Sequence, residues 1–297
     1  MKKAILIFIV TLLFTGCLEE EWDDCNSTLY LTFQHNKSTE EFDAKIGNDV
    51  QVYVYKNDKL HHSVKVPYSD IQGGKEVPIK KSFTGQLSIA AWAVPNGGGD
   101  VGAIPVFEKD SKFSASTIKH ADITTNNSSL CSPVPDLYLG TLKEQDEFIM
   151  EDSHYKIDMG NTICRVEVIV EPIGLIDSYL VNGAPSIRVG GSSRGATLDL
   201  EPSGDEVLVY SELRENNSED IYSTGVFGMM PSYKDSDKFP EGKPISITGF
   251  AGDTQMFTIE DTDQYSRPGD KVKIVITGPT AQIYVNGWRV KTTNVTF

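Results

Sequence analysis

Apolar residues fall at every second position in one short segment after another, with turn residues between them. Leu29, Leu31 and Phe33 alternate with Tyr30 and Thr32, and Val50, Val52 and Val54 repeat the pattern within Asp49 to Tyr55. An extended chain turns successive side chains to opposite faces, so this spacing builds half-buried strands. Lys56-Asn57-Asp58-Lys59 is turn-like and leads into Leu60 to Val66, which predicts a hairpin. Gln86 to Val94 is more fully apolar, as expected of a strand covered on both faces. Residues 100–130 are polar and weakly patterned, with one short helix expected near Ser114 to His120.

A second group of strands is predicted from His154 onward. It comprises Tyr155 to Glu171, Ser186 to Val189, Ala196 to Leu200, Glu206 to Tyr210 and Thr224 to Met229. Pro244 to Ala251, Gln255 to Glu260, Lys271 to Thr277 and Gln282 to the end complete it. Gly252-Asp253 and Asn286-Gly287 sit between apolar runs as two-residue turns, where Asn and Gly accept the positive φ required. Many short strands at regular spacing predict an all-β protein of two β-sandwich domains in series. The boundary is expected between Asp136 and Ser153, where Glu144 to Asp152 is strongly acidic, giving domains at 28–145 and 146–297.

The first residues are of another kind. Lys2 and Lys3 precede an uncharged apolar run from Ala4 to Phe14, too short for a permanent membrane-spanning helix. Leu13-Phe14-Thr15-Gly16-Cys17 then resembles the bacterial lipobox, in which the Cys is acylated and becomes the first mature residue. Residues 1–16 are thus read as a signal peptide and 17–27 as a lipidated acidic stalk. Lipid chains contribute about 0.8 kcal/mol per buried methylene, enough for several chains on one Cys to hold a protein to a membrane. Glu19, Glu20 and Glu21 suit a solvated tether. They also resemble the acidic export signal of surface lipoproteins of the Bacteroidales, which implies an outer-membrane protein facing the cell exterior.

About 280 residues remain after the leader, enough for one large or two ordinary β domains. The net charge is −15, and loss of Lys2 and Lys3 deepens it to −17. That balance argues against nucleic acid and anionic lipid surfaces as partners. The hydrophobic content of 39% supports a core.

Three cysteines, Cys25, Cys131 and Cys164, remain once Cys17 is lipidated, so at most one bridge forms and one thiol is left over. Cys164 shares a strand face with Val166, Val168 and Val170 and reads as a buried thiol. Cys25 and Cys131 are left as the candidate pair, tying the stalk to the first domain. No CxxC spacing supports a structural zinc site.

No catalytic constellation emerges, and the chain is read as a non-enzyme with no cofactor. His35, His61, His62, His120 and His154 are scattered, and the adjacent His61 and His62 point to opposite faces of a strand. Gly190-Gly191-Ser192-Ser193-Arg194-Gly195 lacks the Gly-Lys-Ser/Thr ending of a phosphate-binding loop and reads as an ordinary loop. Asp235-Ser236-Asp237 and Asp261-Thr262-Asp263 carry oxygens of the type calcium takes, but neither continues into an EF-hand loop. Of the tryptophans, Trp92 lies inside an apolar strand and is expected in a core; Trp22 falls in the stalk and Trp288 after the Asn-Gly turn.

Taken in order, the lipobox, the acidic stalk, Asp24-Cys25 and the strands Leu29 to Phe33, Asp49 to Tyr55 and Gln86 to Ala93 resemble the FimB-type fimbrial anchor family of the Bacteroidales, relatives of the fimbrillins. Asp136-Leu137-Tyr138-Leu139-Gly140 with Asp158 to Glu171 resembles the family's passage into its second domain. Tyr284-Val285-Asn286-Gly287-Trp288 resembles its closing strand pair. The resemblance implies two transthyretin-like sandwiches and a role at the base of a fimbrium, holding it to the outer membrane through lipid and limiting its length. The partner it implies is a fimbrial stalk subunit, joined by strand addition.

Polymerising fimbrillins of this type lose an N-terminal strand to a protease that cuts after Arg, whereas an anchor should keep its lipid and its own strand. The first arginine here is Arg165, so no Arg-specific cut separates the early fold from Cys17. The C-terminal domain, farthest from the lipid, is the expected point of contact with the stalk. A surface glycan-binding lipoprotein is the alternative, since such proteins share the lipobox, acidic stalk and tandem sandwiches. Contact with a host is left open.

Overall fold

A computed structural model describes residues 28–80, 84–96, 107–108, 110–125, 128–148, 152–232, 242–260 and 262–297. It is an all-β protein of two sandwiches. The first pairs a three-stranded sheet with a five-stranded one. In the small sheet, β1 (Thr28–Gln34) lies between β4 (Val77–Lys80) and β10 (Ser153–Asp158). The larger sheet runs β11 (Gly160–Asn161), β9 (Tyr138–Phe148), β5 (Thr84–Ala93), β2 (Val50–Lys56) and β3 (Lys59–Val66). Their facing side chains, among them Leu31, Phe33, Val52, Val54, Ile89 and Ala91, form one core.

A helix at Thr39–Lys45 covers one end of that core with Phe42. It forms because Ser38 accepts the Glu41 N–H at 3.1 Å, while Glu40 and Glu41 face its positive end and Lys45 its negative end. Ser38-Thr39-Glu40-Glu41 has the sequence of a capping box, but only its Ser38 half forms: Glu41 Oε2 accepts from Asn36 instead, at 2.8 Å.

The second sandwich pairs a six-stranded sheet with a seven-stranded one. The six-stranded sheet runs β15 (Arg214–Asn216), β16 (Ile221–Met229), β12 (Cys164–Glu171), β19 (Lys271–Thr277), β20 (Thr280–Val285) and β21 (Trp288–Asn294). The other is β18 (Thr254–Ile259), β17 (Ser246–Ala251), β13 (Pro185–Thr197), β14 (Pro202–Glu212), β8 (Ser128–Cys131) and β7 (Asp122–Thr125), with β6 (Thr117–Lys119) also pairing β13. Val166, Val168, Val170, Ile187, Ile247, Ile274 and Ile283 are core between them.

Several expectations are corrected. The helix near Ser114 to His120 is a 3-10 turn, Phe113–Ala115, followed by β6. Tyr155 to Glu171 is not one strand. It breaks into β10, β11 and β12, of which the first two pair in the N-terminal sandwich and the third in the C-terminal one. Conversely, β6, β7 and β8 pair with the C-terminal sandwich. Strand pairing therefore does not follow a division at 145/146, and the acidic stretch expected at the boundary is largely β9. Alternation marks a strand but carries no label for its partner.

The loop expected at Gly190 to Gly195 is also strand: β13 runs unbroken from Pro185 to Thr197 with two irregularities in its pairing to β14. Glycine is needed there because the neighbours come so close. A Cβ at Gly195 would lie 2.1 Å from the Ile118 carbonyl oxygen, and Gly191 has φ +79°.

A third apolar cluster joins the sandwiches. The outer face of the five-stranded sheet presents Tyr53, Tyr55, Ala90 and Trp92 to Ile118, Ala196, Leu198 and Met230. Trp92 is buried as expected, but between the lobes and not within a single sandwich. It makes β5 apolar on both faces, as the sequence pattern required.

Candidate assembly surfaces

The described chain begins at Thr28, whose N–H donates to Asp152 Oδ1 at 2.9 Å. From there β1 runs directly into the middle of its sheet. It pairs in parallel with β10 from Leu29 to Gln34 and antiparallel with β4 from Thr28 to Leu31. Leu29, Leu31 and Phe33 are at most 2% exposed, so the strand is held by its core side as well as by both edges. Burial of each such side chain stabilises by roughly 1.5–3 kcal/mol. Cys17, Glu19, Glu20, Glu21, Trp22 and Cys25 lie outside the described residues.

Arg165, the first arginine, sits on β12 between β16 and β19, with Nε 2.9 Å and a terminal nitrogen 2.7 Å from the two Asp136 oxygens. Cys131 is a free, buried thiol within 3.6 Å of Asp122 Oδ1. Because β8 belongs to the C-terminal sandwich, a bridge to it would tie the stalk to the second lobe and not the first. Cys164 is fully buried, and that burial pushes its thiol pKa up to about 12.

The histidines and the Asp-x-Asp stretches do not converge either. His35 contacts the Met159 carbonyl, His154 pairs with Glu76 and stacks on Tyr30, and His120 is buried near Ser192. Asp263 pairs with Lys291, Thr262 donates to the Ile245 carbonyl, and Asp261 and Asp235 to Asp237 lie outside the described residues. Among the described residues no three His, Cys, Asp or Glu side chains come together as metal ligands would.

The C-terminal sandwich offers an edge. Among the described residues β21 ends the six-stranded sheet and pairs on one side only, with β20. The Asn286-Gly287 turn sets the register, with Val285 opposite Trp288, and an irregularity between Ile283 and Tyr284 leaves Val290 as an extra residue. Trp288 is 80% exposed and Val290 49% exposed. Exposed apolar side chains on a strand with a bare edge are unusual in a protein that stays single, because such an edge templates pairing.

Beyond β21 the chain turns back across the sandwich. Val295 is in the core, and Thr296 exchanges both backbone hydrogen bonds with Thr258 of β18, at 2.8 and 3.1 Å. Phe297 packs near Phe257. The tail thus covers part of the β18 edge, and among the described residues nothing pairs with the free side of β21.

These features define a class: a two-lobed, all-β protein whose first described strand is internal and whose last described strand lies at a sheet edge. Solved structures of this architecture are known from the Bacteroidales. A candidate polysaccharide-binding protein from Bacteroides thetaiotaomicron superposes with a TM-score of 0.60 at 14% identity, over 89% of this chain and 98% of that one. A candidate adhesin from Bacteroides ovatus gives 0.54 at 11% identity, over 89% and 94%. The fimbrial anchor protein Mfa2 from Porphyromonas gingivalis gives 0.50 at 14% identity, over 91% and 100%.

The chain belongs to the family of fimbrillin-A associated anchor proteins Mfa1 and Mfa2, whose model matches residues 22–294. A comparison with curated protein sequences gives no match. Membership bears out the fimbrial-anchor resemblance. It places the chain among structural fimbrial proteins of the cell envelope, not among enzymes.

Proposed function

We propose that this protein fixes the base of a fimbrium to the outer membrane. Lipid on Cys17 holds the N-terminus, Glu19 to Glu21 direct the protein to the outer face, and the C-terminal lobe receives the first stalk subunit. The observation that carries this reading is the bare edge of β21, beside the exposed Trp288 and Val290. A strand laid along it would extend the sheet through main-chain hydrogen bonds, with those side chains adding specificity.

The N-terminal lobe supports the same reading. β1 is an internal strand, and Arg165 lies on β12 between two other strands and is ion-paired with Asp136, which supports a chain that keeps its β1 strand. A subunit of that kind starts a fimbrium without being inserted along it, which limits length. A Cys25–Cys131 bridge would further fasten the stalk to β8.

Two variants test separate parts. Cys17→Ala is expected to release folded protein and fimbriae together into the medium; fimbriae that stay on the cell would overturn the anchoring role. Trp288→Ala combined with Val290→Lys is expected to shed fimbriae while the lipoprotein stays on the cell. Fimbriae still attached to that double variant would overturn the β21 contact. Truncation before Lys291 is the poorer experiment, because it removes Val295 from the core.

A further inference from the structure

The outer face of the six-stranded sheet carries chemistry that strand addition does not use. Parallel register sets Glu167 beside Lys273 and Glu171 beside Thr277. Antiparallel register sets Lys273 opposite Tyr284 and Val275 opposite Gln282, and Tyr284 in turn lies opposite Arg289. The intervening Val272, Ile274, Ile276, Ala281 and Ile283 are core, so these side chains face outward. Glu171, Lys271, Lys273, Gln282 and Tyr284, with Val275 and Gly287, line a shallow groove of about 440 Å³.

Its charge runs against that of the chain. Asp and Glu number 42 against 27 Lys and Arg, yet Lys271 and Arg289 have no carboxylate partner among the described residues. Lys273 reaches Glu167 only at 3.8 Å and its side chain is 41% exposed. The polar groups are held in place. Tyr284 donates its hydroxyl to Gln282 Oε1 at 2.7 Å, leaving the Gln282 amide nitrogen to donate elsewhere. Thr277 donates to Glu171 Oε1 at 3.1 Å, leaving the second Glu171 oxygen as an acceptor. One aromatic ring, one amide donor, one carboxylate acceptor and two lysines, of which Lys273 is only loosely paired, thus meet in one groove.

The geometry points to a binding site for a carboxylated sugar, a uronic-acid residue within an acidic polysaccharide. The ring suits a sugar's C–H face, Glu171 accepts from hydroxyls, Gln282 donates to them, and Lys271 and Lys273 meet the carboxylate. An acidic peptide fits less well. β12, β19 and β20 have strand neighbours on both sides, so no main-chain ladder is open to a peptide on this face. Glu167 and Glu171 would also repel acidic side chains.

Calorimetry on the full mature lipoprotein in detergent tests this, with oligogalacturonate as the probe. A neutral oligosaccharide and polyglutamate serve as comparisons. Oligogalacturonate is expected to bind, with both comparisons at least about tenfold weaker. Tyr284→Ala and Lys271→Ala are each expected to weaken it about tenfold or more at an unchanged melting midpoint. Lys271→Glu, at an exposed position, carries the test should Tyr284→Ala lower the melting midpoint. No oligogalacturonate binding at millimolar concentration would overturn the site, as would equal affinity for polyglutamate or wild-type affinity in the Lys271 variants. None of these substitutions lies on β21, so fimbrial attachment is read independently.

Discussion

His120 shows how much one side chain can owe to its surroundings. Its Nδ1 lies 2.7 Å from the Ser132 carbonyl oxygen, which can only accept, so the ring proton sits there. Nε2 is left as an acceptor, 3.0 Å from Ser192 Oγ and facing the Met230 N–H at 3.4 Å. Burial lowers the His120 pKa below its ordinary 6.5, with Arg194 adding to the effect. A group whose folded pKa is depressed in this way costs nothing above about pH 6.5, where both states are neutral. Below that pH the unfolded chain takes up a proton that the folded one refuses. The melting midpoint should therefore fall as pH drops from about 7.5 to 5.5. His120→Gln should start lower but show a flatter dependence; equal slopes by calorimetry would show that His120 does not titrate this way. The histidine's isolation was readable from sequence, but its partners were not. Ser132 and Ser192 are distant in the chain, and Ser192 was expected in a loop.

Elements differ in how far their sequence accounts for them. β1 was evident from Leu29, Leu31 and Phe33 alone, but its central place depends on β10, more than a hundred residues away. That position has a mechanical consequence. A pull on the N-terminal side of Thr28 acts along β1, loading its pairs with β10 and β4 lengthwise. Leu31→Ala should cost about 2–5 kcal/mol in denaturant melts and lower the unfolding force when the chain is pulled from its N-terminus. An unchanged force would mean that β1 is not the strand that resists. In β13 the decisive residues are glycines. Gly195→Ala places a Cβ against the Ile118 carbonyl and should displace β6, at about 1–3 kcal/mol or more. A melting midpoint within error of wild type would show that β6 gives way freely. The same glycines made the segment look like a loop, because composition cannot distinguish a turn from a crowded, bulged strand.

For the whole molecule, Trp92 is the residue to watch. It is fully buried at the meeting of the lobes, and its ring N–H has no hydrogen-bond partner among the described residues. Trp92→Phe should therefore be mild. Trp92→Ala should cost about 3–5 kcal/mol and separate the lobes into two calorimetric transitions. A single, equally cooperative transition in that variant would show that the chain crossings, and not the apolar cluster, couple the sandwiches. Those crossings carry β6 to β8 into the second lobe and return β10 to the first, so neither lobe is a continuous stretch of chain.

The amino-acid order by itself determined the strand character of the chain, the turns at Asn57-Asp58, Gly252-Asp253 and Asn286-Gly287, the burial of Cys164 and Trp92, and the resemblance to fimbrial anchors. All of these rest on local patterns: alternation, turn residues and short motifs. Tertiary structure alone decided which strands pair, that the acidic stretch near residue 145 lies in β9, that Gly190 to Gly195 is strand, and that β21 is left bare. It also brought Lys273, Tyr284 and Arg289 into one row. Pairing depends on partners far away in the chain, and period-two patterns are alike on every strand, so nothing local could have announced it.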